Sequence, residues 1–319
     1  MTYYDKQPLS ISAQLAKLES RGLCIDDRNC VEHHLNAIGF YRLSAYFIPF
    51  EDPANDDTNH TFILGTKFDD VLGLYHFDRN LRLLLLEALE AIEIAARSTW
   101  SNALTLATAD AHAYMDVRHF KAPRQHLTQL NHVASQLHDS HELFVLHYHN
   151  KYRTSFLPPT WAMAETLSFG ALSKWYANTE NNDVKKAVAD LLGIPSVELA
   201  DKALATLTLV RNTCAHHSRL WNRQFTKQIP HIKQLRKWLV VKEQKTATGE
   251  TQRQPDRRLY NYLVLITHML RHAQLSIDWT NRLIAHISTL NDTQQIDMGF
   301  PECWRDMAFW SDNTIHPSG

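Results

Sequence analysis

The sequence predicts an all-α fold, and three observations lead there. Only nine glycines occur in 319 residues, so turn signals are far apart. The apolar–polar alternation of a half-buried strand is scarce; Thr61 to Leu64 is the best short stretch and a poor one. Apolar residues recur instead at helical spacing, as in Leu74, Leu81, Leu85, Ala88, Ile92 and Ala95. Hydrophobic residues make up 44% and charged residues 21%, globular values that exclude a disordered chain.

Residues 10 to 20 read as a first helix, with Ser10 or Ser12 as N-cap and Gly22 past its end. Asp26 or Asp27 caps a second, which ends near Gly39. The aromatic run "FYRLSAYFIPF" follows, then the polar loop "EDPANDDTNH". A long helix begins near Phe68, with Asp69 and Asp70 at its positive end, and runs past residue 100. Further helices are expected at 124 to 149, 160 to 176 after Pro158-Pro159, 183 to 192, and 197 to 215. Gly193 ends the third of these, and Ser196 caps the fourth after Pro195. A basic helix is expected from Pro230 to about 242, then a polar loop "KEQKTATGETQRQPD", then helices at 257 to 273 and 277 to 290. The tail "MGFPECWRDMAFW" is aromatic enough to dock onto the body. Residues 1–60 are expected as an N-terminal helical subdomain, separate or packed against a main helical domain at 61–319.

Cys24, Cys30, Cys214 and Cys303 show no C-x-x-C spacing, which argues against a disulfide framework or a zinc site and suits a reducing cytoplasm. The N-terminus lacks a basic segment followed by an apolar one, so no secretory leader is expected. The run "LLLLEALEAIEIAA" is broken by Glu87, Glu90 and Glu93, so no membrane span is expected. Eight of the 19 histidines fall between 112 and 149, and they read as a solvated surface rather than a metal site.

Formal net charge is −1, but the charges are segregated. From Lys202 to Lys242 there is no Asp or Glu, and from Glu51 to Glu93 ten acids face three cations. A basic segment of this kind suits a polyanion such as RNA, with Arg219, Arg223, Lys227, Lys233, Arg236 and Lys237 on its phosphates. Trp221, Phe225 and Trp238 are interleaved and could stack bases. The competing reading is that the acidic and basic segments complement each other inside the fold.

The stretch "VRNTCAHHSRLWNR", 210 to 223, concentrates this chemistry. Arg211 falls on the apolar stripe of Leu204, Leu207 and Cys214, where a cation needs a partner or a wet cleft. His216 lies about 140° around an ideal helix from Arg211, so the two converge only if the helix ends or bends between them. A guanidinium can grip phosphate oxygens, and an imidazole can move a proton to or from a ribose oxygen near neutral pH. The 2′-hydroxyl is an internal nucleophile, so this route needs neither metal nor cofactor. Cys214 sits on the stripe as a packed thiol.

"RNTCAH" resembles the R-x4-6-H signature of HEPN ribonucleases. The surrounding block, with "LESRGLCIDD", "IGFYRLSAYFIPF", "LYHFDRNLRLLLLEALEAIEIAARS", "LSFGALSKWY" and "MGFPECW", resembles the Abi-2 family of AbiD/AbiF-like bacterial abortive-infection proteins over roughly residues 8 to 310. The resemblance implies a HEPN-like helical bundle with added N- and C-terminal helices, a homodimer, and a composite RNA-cleaving site. Arg211, Asn212 and His216 would be its catalytic residues, with His217 supporting. An E-x3-[KR] motif is matched by Glu93 and Arg97, which read equally well as an ordinary surface i,i+4 pair. Some relatives are associated with a small structured non-coding RNA. Two further readings stay open: a non-catalytic RNA-binding protein, and a helical interaction protein whose Arg-Asn-His block is an internal polar network.

Overall fold

The computed structural model describes residues 7–54, 60–152, 157–245, 251–275 and 278–311, without the side chains of 244 and 245. Among the described residues the fold is all-α apart from one small hairpin. The helices are α1 (Ile11–Ser20), α2 (Arg28–Ala37), α3 (Phe40–Phe47), α4 (Phe68–Thr108), α5 (Pro123–His138), α6 (Leu143–Lys151), α7 (Thr160–Glu165), α8 (Phe169–Asn178), α9 (Asn182–Leu191) and α10 (Val197–Ala215). Strands β1 (Val241–Lys245) and β2 (Thr251–Pro255) follow, then α11 (Leu259–His272), α12 (Trp279–Ile287), α13 (Asp292–Asp297) and α14 (Ala308–Ser311). The chain divides into two compact units, Met1–Leu81 and Arg82–Gly319; the division falls within α4, beyond the loop near residue 60. No helix among the described residues is long and apolar enough to cross a membrane.

In the first unit, Ser10 caps α1 and Asp27 caps α2 through its carboxylate, which accepts the backbone N–H groups of Asn29 and Cys30. Leu15, Leu18, Val31, Leu35, Leu43 and Phe47 close the core. The buried Asp78 accepts a 2.6 Å hydrogen bond from the Tyr46 hydroxyl. Residues 61–64 form no strand; Phe62 makes one isolated bridge with Glu51.

In the second unit several expected helices are divided or replaced. The 124 to 149 stretch is two helices, α5 and α6, and Pro123 takes the first position of α5. The 160 to 176 stretch is broken between Glu165 and Phe169, where Ser168 caps α8 by accepting from Ala171 N–H. The basic segment after Pro230 is a single 3-10 run, Lys233–Trp238, and the polar stretch beyond it pairs antiparallel as β1 and β2, with Val241 opposite Pro255. Part of that stretch lies outside the described residues. The aromatic tail does dock: Phe300, Trp304, Phe309 and Trp310 are buried. The histidine surface has exceptions, since His112 and His119 are half-buried and His126 goes further. His126 is buried, stacked on Phe120, with its Nε2 2.7 Å from the Tyr114 carbonyl.

α9 ends through Gly193 at φ +67, with Ile194 N–H donating to Ala189. A Cβ there would stand 2.6 Å from Cγ of His272. Gly193→Ala is therefore expected to destabilise the protein by about 1–3 kcal/mol through strain and overlap together, read as a lower urea midpoint.

Asp256 is buried beneath the hairpin and accepts from Arg258 Nε at 2.9 Å, with Lys242 Nζ at 3.1 Å. Burial pushes its carboxyl up, but the hydrogen bonds and charges of Arg258 and Lys242 outweigh that and hold it below the usual carboxylate range. A depressed carboxyl contributes stability that is present above its unfolded value and lost as pH falls through the folded one. Asp256→Asn should thus cost about 2 kcal/mol near neutral pH. The gap to the wild type should close in acid; a gap that stays constant with pH would contradict the assignment.

Candidate nucleic-acid-cleaving site

α4 supplies Glu93 and, one turn on, Arg97. Their ion pair is 2.7 Å long with side chains 10% and 12% exposed, so it is an interior pair and not the surface pair that spacing alone allows. The break between α7 and α8 completes Arg97's surroundings. Its Nη2 donates to the Leu167 carbonyl at 2.7 Å, and its Nη1 reaches Glu165 at 3.3 Å. Its Nε is buried without a hydrogen-bond partner.

Arg211 approaches the same carboxylate from α10, with its Nε 3.8 Å from the second oxygen of Glu93. Glu93 thus lies between two guanidiniums. Burial still raises its carboxyl above the ordinary value, against the lowering pull of Arg97 and then Arg211. The Arg211 side chain is 33% exposed, whereas Leu204, Leu207 and Cys214 on its stripe are fully buried. The guanidinium is anchored on one side and open on another. Asn212 Oδ1 accepts from Arg211 Nη1 at 3.4 Å, a long contact.

α10 stops between Arg211 and His216. Ala215 is its last residue, His216 is the C-cap, and His217 stands at φ +55. Ser218 N–H donates to Thr213 and His217 N–H to Cys214, both at 3.0 Å, the paired bonds of a Schellman ending. That ending normally takes glycine at the position His217 holds, so this chain keeps an imidazole where a left-handed backbone disfavours one. Both His216 and His217 are exposed. Among the described residues no hydrogen bond or ion pair holds the His216 ring. The structure therefore gathers Glu93, Arg97, Arg211 and Asn212 by contact, and places the two histidines at the helix end beyond them.

The stacking expectation is corrected. Trp221 and Phe225 are buried at 1% and 2% exposure. Phe225 packs on Tyr262 at 4.4 Å between ring centres, with the Arg223 guanidinium 5.9 Å above it, so neither ring is open to a base. Trp238 is half-buried against Phe309, with Lys237 Nζ 4.3 Å from its ring centre. Arg219 and Arg223 are half-buried, and Arg223 Nη1 donates to the Arg219 carbonyl at 3.3 Å. Lys227, Lys233, Arg236 and Lys237 are exposed. Sequence reasoning missed Glu165 and the Leu167 carbonyl, since nothing in the spacing ties residues 165 and 167 to Arg97.

No curated protein and no solved structure matches the chain. The family model described as Abi-like protein matches residues 33–222. The match covers more than half of the sequence, narrower than the span of the resemblance read from the motifs. It includes Glu93, Arg97 and the 210–223 stretch up to Asn222, and stops before the basic residues from Arg223 onward. Its name points to a role in abortive-infection defence, and on this match the chain belongs to the Abi-like protein family.

Proposed function

We propose that this Abi-like protein cleaves RNA without a metal, at a site built from Arg211 and His216 and completed by a second copy of the chain, in the manner of HEPN ribonucleases. The observation that carries the reading is the end of α10. A half-exposed guanidinium anchored on a buried carboxylate stands just before a helix ending that presents two exposed imidazoles.

In this reading Arg211 binds the non-bridging phosphate oxygens and stabilises the charge added in the transition state. One imidazole takes the proton of the 2′-hydroxyl as its oxygen bonds to phosphorus. The bond to the 5′-oxygen breaks, and a second, protonated imidazole donates to that leaving oxygen. The products are a 2′,3′-cyclic phosphate and a 5′-hydroxyl. Two histidines in two states are needed, and a twofold copy supplies the second. Glu93 and Arg97 hold Arg211 in place, Asn212 orients the phosphate, or His216 once RNA is bound, and His217 supports them. Loss of host or phage RNA on infection would halt phage replication.

A second reading, RNA binding without cleavage, is favoured by one observation: nothing among the described residues orients the His216 ring, and a proton-transfer group is ordinarily held by a third residue. End-labelled RNA incubated with the full chain in EDTA separates the two. Cleavage supports the nuclease. Tight, salt-dependent binding without cleavage transfers support to the second reading, and no RNA binding overturns both.

A further inference from the structure

The described residues hold a cationic concavity on another face of α10 from Arg211. The helix, the segment 227–231 and β2 enclose a groove of about 550 Å³ whose lining carries Lys202, Lys227, His231 and Arg253 and no carboxylate. All four are exposed, and among the described residues none of Lys202, Lys227 and Arg253 is in an ion pair. Acids stand near but outside the lining: Glu243 opposite Arg253 across the hairpin, and on α10 Glu198 one turn before Lys202 and Asp201 beside it, the last paired with Lys185.

The walls are fixed while the cationic tips are free. Thr206 Oγ1 donates to the Gln228 carbonyl at 3.1 Å, and Gln228 Nε2 donates to Gln254 Oε1, joining helix, segment and strand. The buried Tyr262 donates its hydroxyl to the Lys227 carbonyl. Cations from three separate elements are thus held around one opening before any ligand arrives, and their mutual repulsion is relieved only by an anion.

The groove is separate from the Arg211 site. Lys202, Ala205 and Thr206 lie roughly 120–180° around α10 from Arg211. Resting on the reading that RNA is the ligand, we propose that this groove binds consecutive phosphates of an RNA strand, as a holding site on the far side of α10 from the cleaving one. Recognition there is of backbone charge, so it is independent of base sequence and steeply dependent on salt.

The test measures fluorescence anisotropy of a labelled single-stranded 2′-O-methyl RNA, which lacks the nucleophile and cannot be cut by the proposed route. The full-length Lys202→Gln/Lys227→Gln/Arg253→Gln variant is compared with the wild type over a salt series. Loss of three contacts should lower the slope of log affinity against log salt by about 2, and affinity at low salt at least tenfold. Inorganic polyphosphate should displace the RNA from the wild type. The charge-reversed triple variant, with glutamate at the three positions, should bind more weakly still, which a general loosening of the fold would not order in this way. Wild-type binding with an unchanged slope in both variants, or no competition by polyphosphate, overturns the groove and leaves the Arg211 site standing. If the wild type binds no RNA at all, the reading of RNA as ligand falls with it.

Discussion

His216→Ala is expected to reduce RNA cleavage by about 10²–10⁴-fold while leaving the unfolding midpoint unchanged. The ring is exposed and without a hydrogen bond among the described residues, so its removal takes away a proton carrier and little packing. Arg211→Ala is expected to lose about 10²–10³-fold, chiefly in kcat, because the guanidinium acts on charge that appears only in the transition state. Arg211→Lys should recover little of this, since an ammonium cannot make a forked contact with phosphate while a second edge rests on Glu93. Single-turnover cleavage of a labelled RNA, beside urea melts of each variant, checks both. Full activity in His216→Ala would remove the imidazole from the reaction.

The second large effect is on stability. Arg97→Met leaves Glu93 buried with Arg211 alone, 3.8 Å away, and should cost about 3–5 kcal/mol near neutral pH. The pH dependence follows from the direction of the Glu93 shift. Burial first, opposed by Arg97 and Arg211, raises that carboxyl. A raised group contributes stability that is fully present below its unfolded value and is lost as pH rises through the folded one. Removing Arg97 raises it further, so the deficit should be largest at pH 8 and should shrink as the solution is acidified and Glu93 takes up a proton. The double change Arg97→Met/Glu93→Leu should restore much of the loss, because no buried charge is then left unpaired. Urea midpoints at pH 5 and pH 8 decide it. An equal deficit at both, with no recovery in the double variant, would mean that Arg97 contributes by packing alone.

Much of the second unit was legible because its signals are local. Ser196 after Pro195 and the apolar stripe through Cys214 define α10 from end to end, and the helix stops between Arg211 and His216, as convergence of the two requires. The break before α8 was not legible. "TWAMAETLSFGALSKWY" is apolar at helical spacing throughout, and the hydroxyl of Ser168 acts as a cap only because the chain turns there. That turn delivers the Leu167 carbonyl to Arg97, so the missed break and the missed site residues have one cause. The basic segment failed differently. A helix after Pro230 follows from composition, but the chain buries Ile232 from an extended position and Leu235 from the short 3-10 run after it, and the hairpin beyond has polar residues on both faces and no alternation to betray it. Trp221 and Phe225 among cations look like stacking platforms in one dimension. Their burial is set by partners such as Tyr262, 37 residues along the chain from Phe225, which no window around them contains.

Cleavage by this route requires a guanidinium and an imidazole acting on one phosphodiester with the ribose hydroxyl as nucleophile. The most direct measurement is mass spectrometry of the fragments from a defined RNA carrying a single 2′-deoxynucleotide, incubated with the full chain in EDTA. Fragments ending in 2′,3′-cyclic phosphate, with the bond after the deoxynucleotide intact, are the predicted result. Cleavage at that bond, or 3′-hydroxyl and 5′-phosphate ends, would contradict it.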